Sequence, residues 1–166
     1  LTRHDGGLRS VLQLAYFRGG NLTRIGGRGY TQLGKGGRVD VQLEHMNPAD
    51  LAGISSLFSP LTALSLPVDA ELGFELAADG TLARGEVNIR LEDGVVLLSE
   101  RRFGVRRVEL EMETDLAKQS IVLKKGQINV DGVGARFAGT ADFSLTPEGD
   151  INVVTARVDG KKIDIN

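Results

Sequence analysis

The chain contains no cysteine and no tryptophan, and aromatic residues make up only 5% of its 166 residues. The lack of cysteine excludes a disulfide framework, a zinc–thiolate site and thiol catalysis. Because large aromatic side chains are scarce, the interior must be built mainly from Leu, Val, Ile and Ala. An aromatic cage around a large ligand is therefore not expected.

Charge of one sign and long apolar runs are also missing. The 20 basic and 22 acidic residues leave a net charge of −2, without the basic excess typical of proteins that bind nucleic acid or anionic membranes. The longest aliphatic run, at 95–98, is far shorter than the roughly 20 residues that span a bilayer. The chain opens without Met or a signal peptide and alternates up to its last residue, so we expect an excised piece of a longer protein.

What the chain does have, from Val68 onward, is an apolar residue at every second position. Side chains alternate across a strand, so each such run predicts a strand with one apolar and one polar face. The runs comprise Val68, Ala70, Leu72, Phe74 and Leu76; Val87, Ile89 and Leu91; Val108, Leu110 and Met112; Ile121 and Leu123; Ile128 and Val130; and Phe137, Ala141, Phe143 and Leu145.

The connections between these runs are short and rich in turn-forming residues. We expect turns at 78–80, 92–94, 115–119, 131–132, 146–150 and 159–160. Short connections join antiparallel neighbours, whereas parallel strands need a crossover of a dozen or more residues. The pattern predicts an antiparallel meander and disfavours nucleotide-binding folds with parallel sheets. Gly85, Gly104 and Gly139 are the expected bulge sites.

The first 46 residues are less regular. Residues 8–17 predict a strand, although Leu8, Leu12 and Ala15 would also suit a helix. The dense glycines between 19 and 37 predict short or irregular strands. A further alternating run follows at Val39, Val41 and Leu43.

A change of period follows at Asn47. Asn47 can cap a helix, Pro48 suits a first turn, and Asp50 favours the positive end of the helix dipole. We therefore expect a strand group at 1–46 that ends a preceding repeat, a helical connection at 47–67 and a β-meander at 68–166. The predicted fold is mainly β, an antiparallel meander forming a curved, groove-like or half-barrel sheet with one short helix at about 48–64.

Two motif-like features favour structural interpretations. Residues 29–35 match a phosphate-binding loop up to Lys35, but Gly36 replaces the hydroxyl residue that would hold magnesium, and a strand follows where a helix is required. The two histidines, His4 and His45, have no partner at metal-ligand spacing. We expect no nucleotide, metal or cofactor.

The charged residues of one strand also offer catalytic and binding alternatives. Glu109, Glu111 and Glu113 share one strand face and could supply an acid and a base, but the solvated side of a strand explains them better. Four arginines surround Phe103 and could contact lipid phosphates or an acidic partner; pairing with nearby acidic residues is the simpler interpretation. These arginines are Arg101, Arg102, Arg106 and Arg107. No enzyme is predicted.

The order of these segments resembles a known family. Residues 47–51 read Asn-Pro-Ala-Asp-Leu, a passage rich in Leu and Pro leads into Pro67-Val68, a hairpin turns at Asp79-Gly80, and a small unit Phe137-Ala-Gly-Thr-Ala follows. In these features the chain resembles the AsmA-like superfamily of YhdP- and TamB-type proteins, and the YhdP-type central region in particular. About two thirds of the chain carries the resemblance.

The resemblance implies a periplasmic segment of an inner-membrane-anchored protein of a diderm bacterium. Strands of that family roll into a groove whose apolar lining carries phospholipid acyl chains between the two membranes. Partners would be phospholipids, the membrane through the rest of the parent protein and other envelope proteins. The family has no catalytic residues to carry over.

We therefore predict a lipid-facing lining on one face of the meander. Its expected members are Leu72, Phe74, Leu76, Val87, Ile89, Leu91, Val108, Leu110, Met112, Phe137 and Phe143. The choice assumes that all these runs face the same way. The alternative is a closed core in a non-catalytic structural or protein-interaction module, whose open strand edges could bind a partner chain.

Overall fold

A computed structural model of the chain describes residues 2–4, 7–18, 21–48, 64–91, 93–98, 101–130, 133–145 and 151–164. Nearly all of them lie in β-strands. The strands are β1 (Thr2–His4), β2 (Gly7–Arg18), β3 (Asn21–Gln32), β4 (Gly36–Met46), β5 (Leu64–Ser65), β6 (Val68–Leu76), β7 (Leu82–Leu91), β8 (Gly94–Leu98), β9 (Arg101–Asp115), β10 (Ser120–Val130), β11 (Val133–Leu145) and β12 (Ile151–Asp164).

The strands form one antiparallel sheet in which neighbours in sequence are neighbours in space. The order is β1-β2-β3-β4-β6-β7-β9-β10-β11-β12, with the short β5 and β8 attached beside β9. The predicted antiparallel meander is thus confirmed, and β4 pairs with β6, so the first strand group joins the same sheet. The predicted curvature is not borne out, because the sheet is open and uncurled, with β1 and β12 at opposite edges.

The predicted helix is not borne out either. Among the described residues only Pro48, the first residue of the expected helix, is helical. Residues 49–63, which make up most of the expected helical connection, lie outside the described residues. Where the chain is described again it is extended, since β5 pairs with β8.

Two expected turns are wrong, because the chain does not reverse direction at either position. Leu91 pairs with Val108 and Gly94 with Val105, so β7 and β8 both run antiparallel to β9. At the turn expected at 92–94, the described residue Asp93 forms a bend and the chain then continues along β9. The turn expected at 159–160 lies inside β12, where Gly160 is paired with Phe137.

Two other turns form where the sequence predicts them. At 78–80, Gly80 has a φ of 86°, and the Asp79 carboxylate accepts hydrogen bonds from the backbone and hydroxyl of Thr81, which lower the pKa of Asp79. At 115–119, the Asp115 carboxylate accepts a hydrogen bond from the Lys118 backbone. Short polar side chains thus close both hairpins. The turns expected at 131–132 and 146–150 lie outside the described residues.

The glycine-rich segment forms longer strands than the sequence suggests. The strand expected at 8–17 is confirmed as β2, but β3 is a continuous 12-residue strand despite its three glycines. Elsewhere aromatic rings cover the glycine gaps: the Phe137 ring lies over Gly126, and the Phe74 ring borders Gly85. Cross-strand aromatic contacts therefore compensate for missing side chains.

Register shifts occur at several places in the sheet, and two of them lie near buried apolar residues. One extra residue separates Leu43 from Met46 in β4, where His45 has a φ of 53°, and another, Arg106, lies between Val105 and Arg107 in β9. The buried apolar residues near these two shifts are Met46, Leu66, Ala70, Leu91 and Val105, whereas Phe143 is buried elsewhere, in β11. The bulges expected at the three glycines 85, 104 and 139 are wrong, because the register shifts occur elsewhere.

Two glycines on adjacent strands provide a test of this packing. A Cβ at Gly37 would lie 2.3 Å from the Tyr30 carbonyl oxygen, whereas a Cβ at Gly26 would find its nearest neighbour, in Gln42, at 3.9 Å. We expect Gly37→Ala to lower the free energy of unfolding by about 1–3 kcal/mol through overpacking. Gly26→Ala should leave it unchanged or raise it by about 0.5–1 kcal/mol.

Urea denaturation of both variants checks this expectation. Equal effects of the two substitutions would contradict the close approach of β3 and β4 at Gly37.

Candidate functional site

The pairing registers align one residue of each strand into rows that cross the sheet. In one such row Val41 lies beside Leu72, Leu72 beside Val87, Val87 beside Met112 and Met112 beside Leu123. Paired residues point to the same side of a sheet. The rows therefore define one continuous side, here called the apolar face. Its members include Leu12, Leu14, Ile25, Val39, Val41, Leu43, Val68, Ala70, Leu72, Phe74, Leu76, Val87, Ile89, Leu91, Val108, Leu110, Met112, Ile121, Leu123, Ile128, Val130, Phe137, Ala141, Phe143 and Val158.

All eleven residues of the predicted lining lie on the apolar face. Most of them are half-buried by their neighbours within the sheet. Leu91 and Phe143 are buried, with 9% and 2% exposure, so they offer little surface to a ligand. Whether the other nine contact lipid stays a prediction.

The apolar face also includes residues that the predicted lining omits. Val39 and Val41 are paired with Phe74 and Leu72, and Ile25 continues the face into β3. Their alternation is visible in the sequence. The sequence alone assigns the first 46 residues to a separate strand group, and only the pairing of β4 with β6 joins them to the predicted lining.

The bulge in β4 is held from both sides by side chains. The Thr23 hydroxyl, on a residue with only 2% exposure, donates a hydrogen bond of 3.1 Å to the His45 carbonyl oxygen. The Asp69 carboxylate accepts a 2.7 Å hydrogen bond from the His45 backbone N–H. Both backbone groups of the bulged residue are thereby satisfied, which allows the left-handed conformation at His45. Met46 then returns to the apolar face.

The opposite side of the sheet, here called the charged face, is covered by ion pairs. Arg38 is a central residue: its guanidinium lies 2.7 Å from Asp40, 3.0 Å from Glu86 and 3.6 Å from Glu75. Hydrogen bonds to Asp40 and Glu86 raise the pKa of Arg38. Gly73 lies between Asp40 and Glu86 in the ladder, and a Cβ there would come within 2.8 Å of this guanidinium. Gly73 therefore leaves space for Arg38 to cross β6.

A second group of ion pairs surrounds Glu109. Its carboxylate accepts hydrogen bonds from Lys125 and Arg107, and its side chain is 13% exposed. The hydrogen bonds from Lys125 and then from Arg107 hold the pKa of Glu109 below its usual range. Lys124 pairs with Glu113, which raises the pKa of Lys124. The three alternating carboxylates thus lie on the charged face, as expected.

The other motif-like residues have structural positions. Residues 29–35 cross the end of β3 and a turn with a φ of 73° at Gly34, and β4 follows directly. Of the arginine cluster, Arg107 pairs with Glu109, in agreement with the simpler interpretation. The His45 imidazole lies 3.7 Å from the Asp69 carboxylate, beside the bulge.

The charged face also contains shallow depressions. One, of about 460 Å³, is bordered by Gly26, Gly73, Arg28, Arg38 and Glu71. In the described parts of the chain, no cluster of His, Asp or Glu has the arrangement of a metal site. Those same parts contain no helix with the length and hydropathy that a membrane span requires.

Comparisons of the chain with protein-family models, with curated proteins and with solved structures found no match.

The hydrogen bond that supports the β4 bulge can be tested with two threonines of one strand. Thr23→Val keeps the shape of the side chain but leaves the His45 carbonyl without its buried donor. We expect it to lower the free energy of unfolding by about 1–3 kcal/mol. Thr31→Val, eight positions along the same strand, is the control and should change it by less. Urea unfolding measures both, and equal losses would show that the hydroxyl bond is not what supports the bulge.

The ion pairs of Glu109 predict a pH dependence. Because the folded-state pKa of Glu109 is depressed, its contribution to stability is present above the unfolded value of about 4.3 and is lost as the pH falls through the folded value. Glu109→Gln should therefore be less stable than the parent at neutral pH, and this difference should disappear in acid.

Urea unfolding across this pH range measures the difference. Glu111→Gln, an exposed neighbour on the same face, is the control and should have a smaller effect. A Glu109→Gln difference that persists unchanged in acid would contradict the ionic origin of the stabilisation.

Proposed function

We propose that the apolar face shields phospholipid acyl chains in a periplasmic, inner-membrane-anchored protein that moves phospholipid through a bacterial envelope. The observation that supports this proposal is the shared register of the strands. It places aliphatic residues of nine strands on one side and most of the charged residues on the other. Among the described residues, no second layer of strands or helices covers the apolar face.

The dimensions of the sheet suit this role. Ten strands spaced about 4.8 Å apart extend about 45 Å across the sheet. An acyl chain in one leaflet spans about 15 Å, half of the hydrocarbon core. Several chains could therefore lie on the face side by side. Because the sheet is uncurled, it acts as a platform that covers a chain from one side.

The energetic demand on such a platform is modest and non-specific. Each methylene removed from water contributes about 0.8 kcal/mol, so a 16-carbon chain would cost on the order of 10 kcal/mol to expose fully. A flat apolar surface offsets about half of this cost, because it removes water from one side. No polar contact of defined geometry is required, which agrees with a face of alternating aliphatic residues.

Within the apolar face, the central rows are the best candidates for lipid contact. Leu72, Phe74, Val87, Leu110 and Met112 are half-buried, whereas Met46 and Val105, beside the shifts in β4 and β9, are buried. We therefore place the lipid-contacting surface away from Met46 and Val105.

A second candidate function is a non-catalytic structural or protein-interaction module. The buried residues near the bulges in β4 and β9 support it, because Leu66, Leu91 and Val105 are already covered by protein. In this alternative the apolar face is covered by protein and binds no lipid. The two candidates differ in what occupies the central rows.

Site-specific photo-crosslinking distinguishes the candidates. A photoreactive residue is introduced at Leu72 or Leu110 on the apolar face, and at the neighbouring Glu71 or Glu111 on the charged face. Each variant is illuminated with vesicles of phosphatidylethanolamine and phosphatidylglycerol and analysed by mass spectrometry. We expect lipid adducts at Leu72 and Leu110 only.

In each matched pair, the leucine and the glutamate are adjacent in the same strand but lie on opposite faces of the sheet. The two positions are therefore at nearly the same distance from a bound vesicle, and only the face differs. Adducts at all four positions would indicate non-specific association. Folded variants without adducts at either leucine would reject the lipid-shielding function and favour the closed core.

A further inference from the structure

The outer edge of β12 is a straight, exposed strand segment. Among the described strands, β12 pairs only with β11. From Thr155 to Lys161 the register with β11 is unbroken and every side chain is exposed. The segment contains no proline, and the bulge of β12 lies outside it, at Val154. Its unpaired backbone groups can therefore accept another antiparallel strand.

The sequence of this segment is self-complementary. Residues 155–161 read Thr-Ala-Arg-Val-Asp-Gly-Lys, with Val158 at the centre. When two copies are placed antiparallel about Val158, each Arg157 lies opposite the other copy's Asp159, and the two Val158 residues face each other. Arg157 and Asp159 lie on the charged face, 79% and 71% exposed. Opposite charges directly across a ladder stabilise pairing, whereas like charges oppose it.

The same arrangement keeps both faces of the sheet continuous. Antiparallel strands with this register are related by a two-fold axis perpendicular to the sheet, so each face of one copy continues into the same face of the other. Val158 lies on the apolar face and is 65% exposed. Pairing therefore brings the two exposed valines together on the apolar side and the charges together on the other side.

We propose that the β12 edge binds the β12 edge of a second copy of this chain, in the register centred on Val158. The product is a two-fold symmetric dimer with one continuous antiparallel sheet. The proposal goes beyond lipid shielding and does not depend on it. Edge pairing over seven residues buries less area than a standard interface of 1,200–2,000 Å². The dimer should therefore be weak and in exchange with the monomer.

Disulfide formation tests this register directly. The chain contains no cysteine, so a single introduced cysteine can form a disulfide only with the same residue of a second copy. Opposed residues of an antiparallel pair have Cα atoms about 4.5–5.5 Å apart, which suits a disulfide. In the 166-residue chain, Val158→Cys should give a covalent dimer on mild oxidation. Val154→Cys is the matched control, with 66% exposure. It should stay monomeric because its two copies would be about 27 Å apart.

A charge-reversal series tests the same pairing without cysteine. R157D and D159R each place like charges opposite each other, and we expect each to raise the dimer dissociation constant about tenfold or more. The double variant R157D/D159R restores opposite charges and should restore dimerisation. An equimolar mixture of the two single variants should form heterodimers. Sedimentation velocity measures all four, and circular dichroism confirms that each variant folds.

Two results would overturn the proposal. One is that Val154→Cys and Val158→Cys form disulfide-linked dimers to the same extent, or that folded Val158→Cys forms none. The other is a double variant that dimerises no better than the single ones. Neither result affects the lipid-shielding function, which the photo-crosslinking at Leu72 and Leu110 tests separately.

Discussion

The structure depends on keeping the two-residue period of each strand in phase with that of its neighbours. A slip of one residue in any ladder would move a complete set of aliphatic side chains to the charged face. The bulges show how strictly the phase is kept. In a regular strand Arg106 would follow Val108 onto the apolar face and Val105 would leave it. The extra residue in β9 instead keeps Val105 paired with Val130 and buried, so no guanidinium is placed among apolar residues.

The two faces divide the requirements of folding between them. The apolar face supplies non-directional stabilisation, which on its own would tolerate several registers. The charged face supplies contacts that depend on position, such as the Arg38 guanidinium that crosses Gly73 to reach Glu86. Exposed ion pairs of this kind add little stability, but a two-residue shift between β4 and β6 would replace Gly73 opposite Asp40 by Glu71 or Glu75, and like charges oppose pairing. Specificity and stability thus reside on opposite sides of one sheet.

Alternation in the sequence was sufficient to predict the strands and the composition of the face, because a period of two is a local property. It correctly placed Phe74, Leu110 and Phe137 on one side. It did not predict where the chain keeps its direction: the residues at 92–94 and 159–160 resemble turns, yet β7 and β8 both pair with β9, and β12 continues past Gly160 along β11. Nor did it locate the bulge at His45, which depends on hydrogen bonds from Thr23 and Asp69. The curvature of the sheet could not be predicted from local sequence patterns either, because it depends on the twist summed over all of the strands.

The strictly consecutive order of the long strands has a consequence for how the sheet assembles. Among the described strands, each long strand pairs with no long strand other than those before and after it along the chain, so stability approximates a sum of nearest-neighbour terms, as in repeat proteins. Folding can then begin at any hairpin and spread to its neighbours, except between β4 and β6, where the longer connection at 47–67 must close first. Loss of a terminal strand would expose a new edge and leave the remaining ladders intact. The sheet therefore behaves as a one-dimensional array whose length can change while its cross-section is preserved.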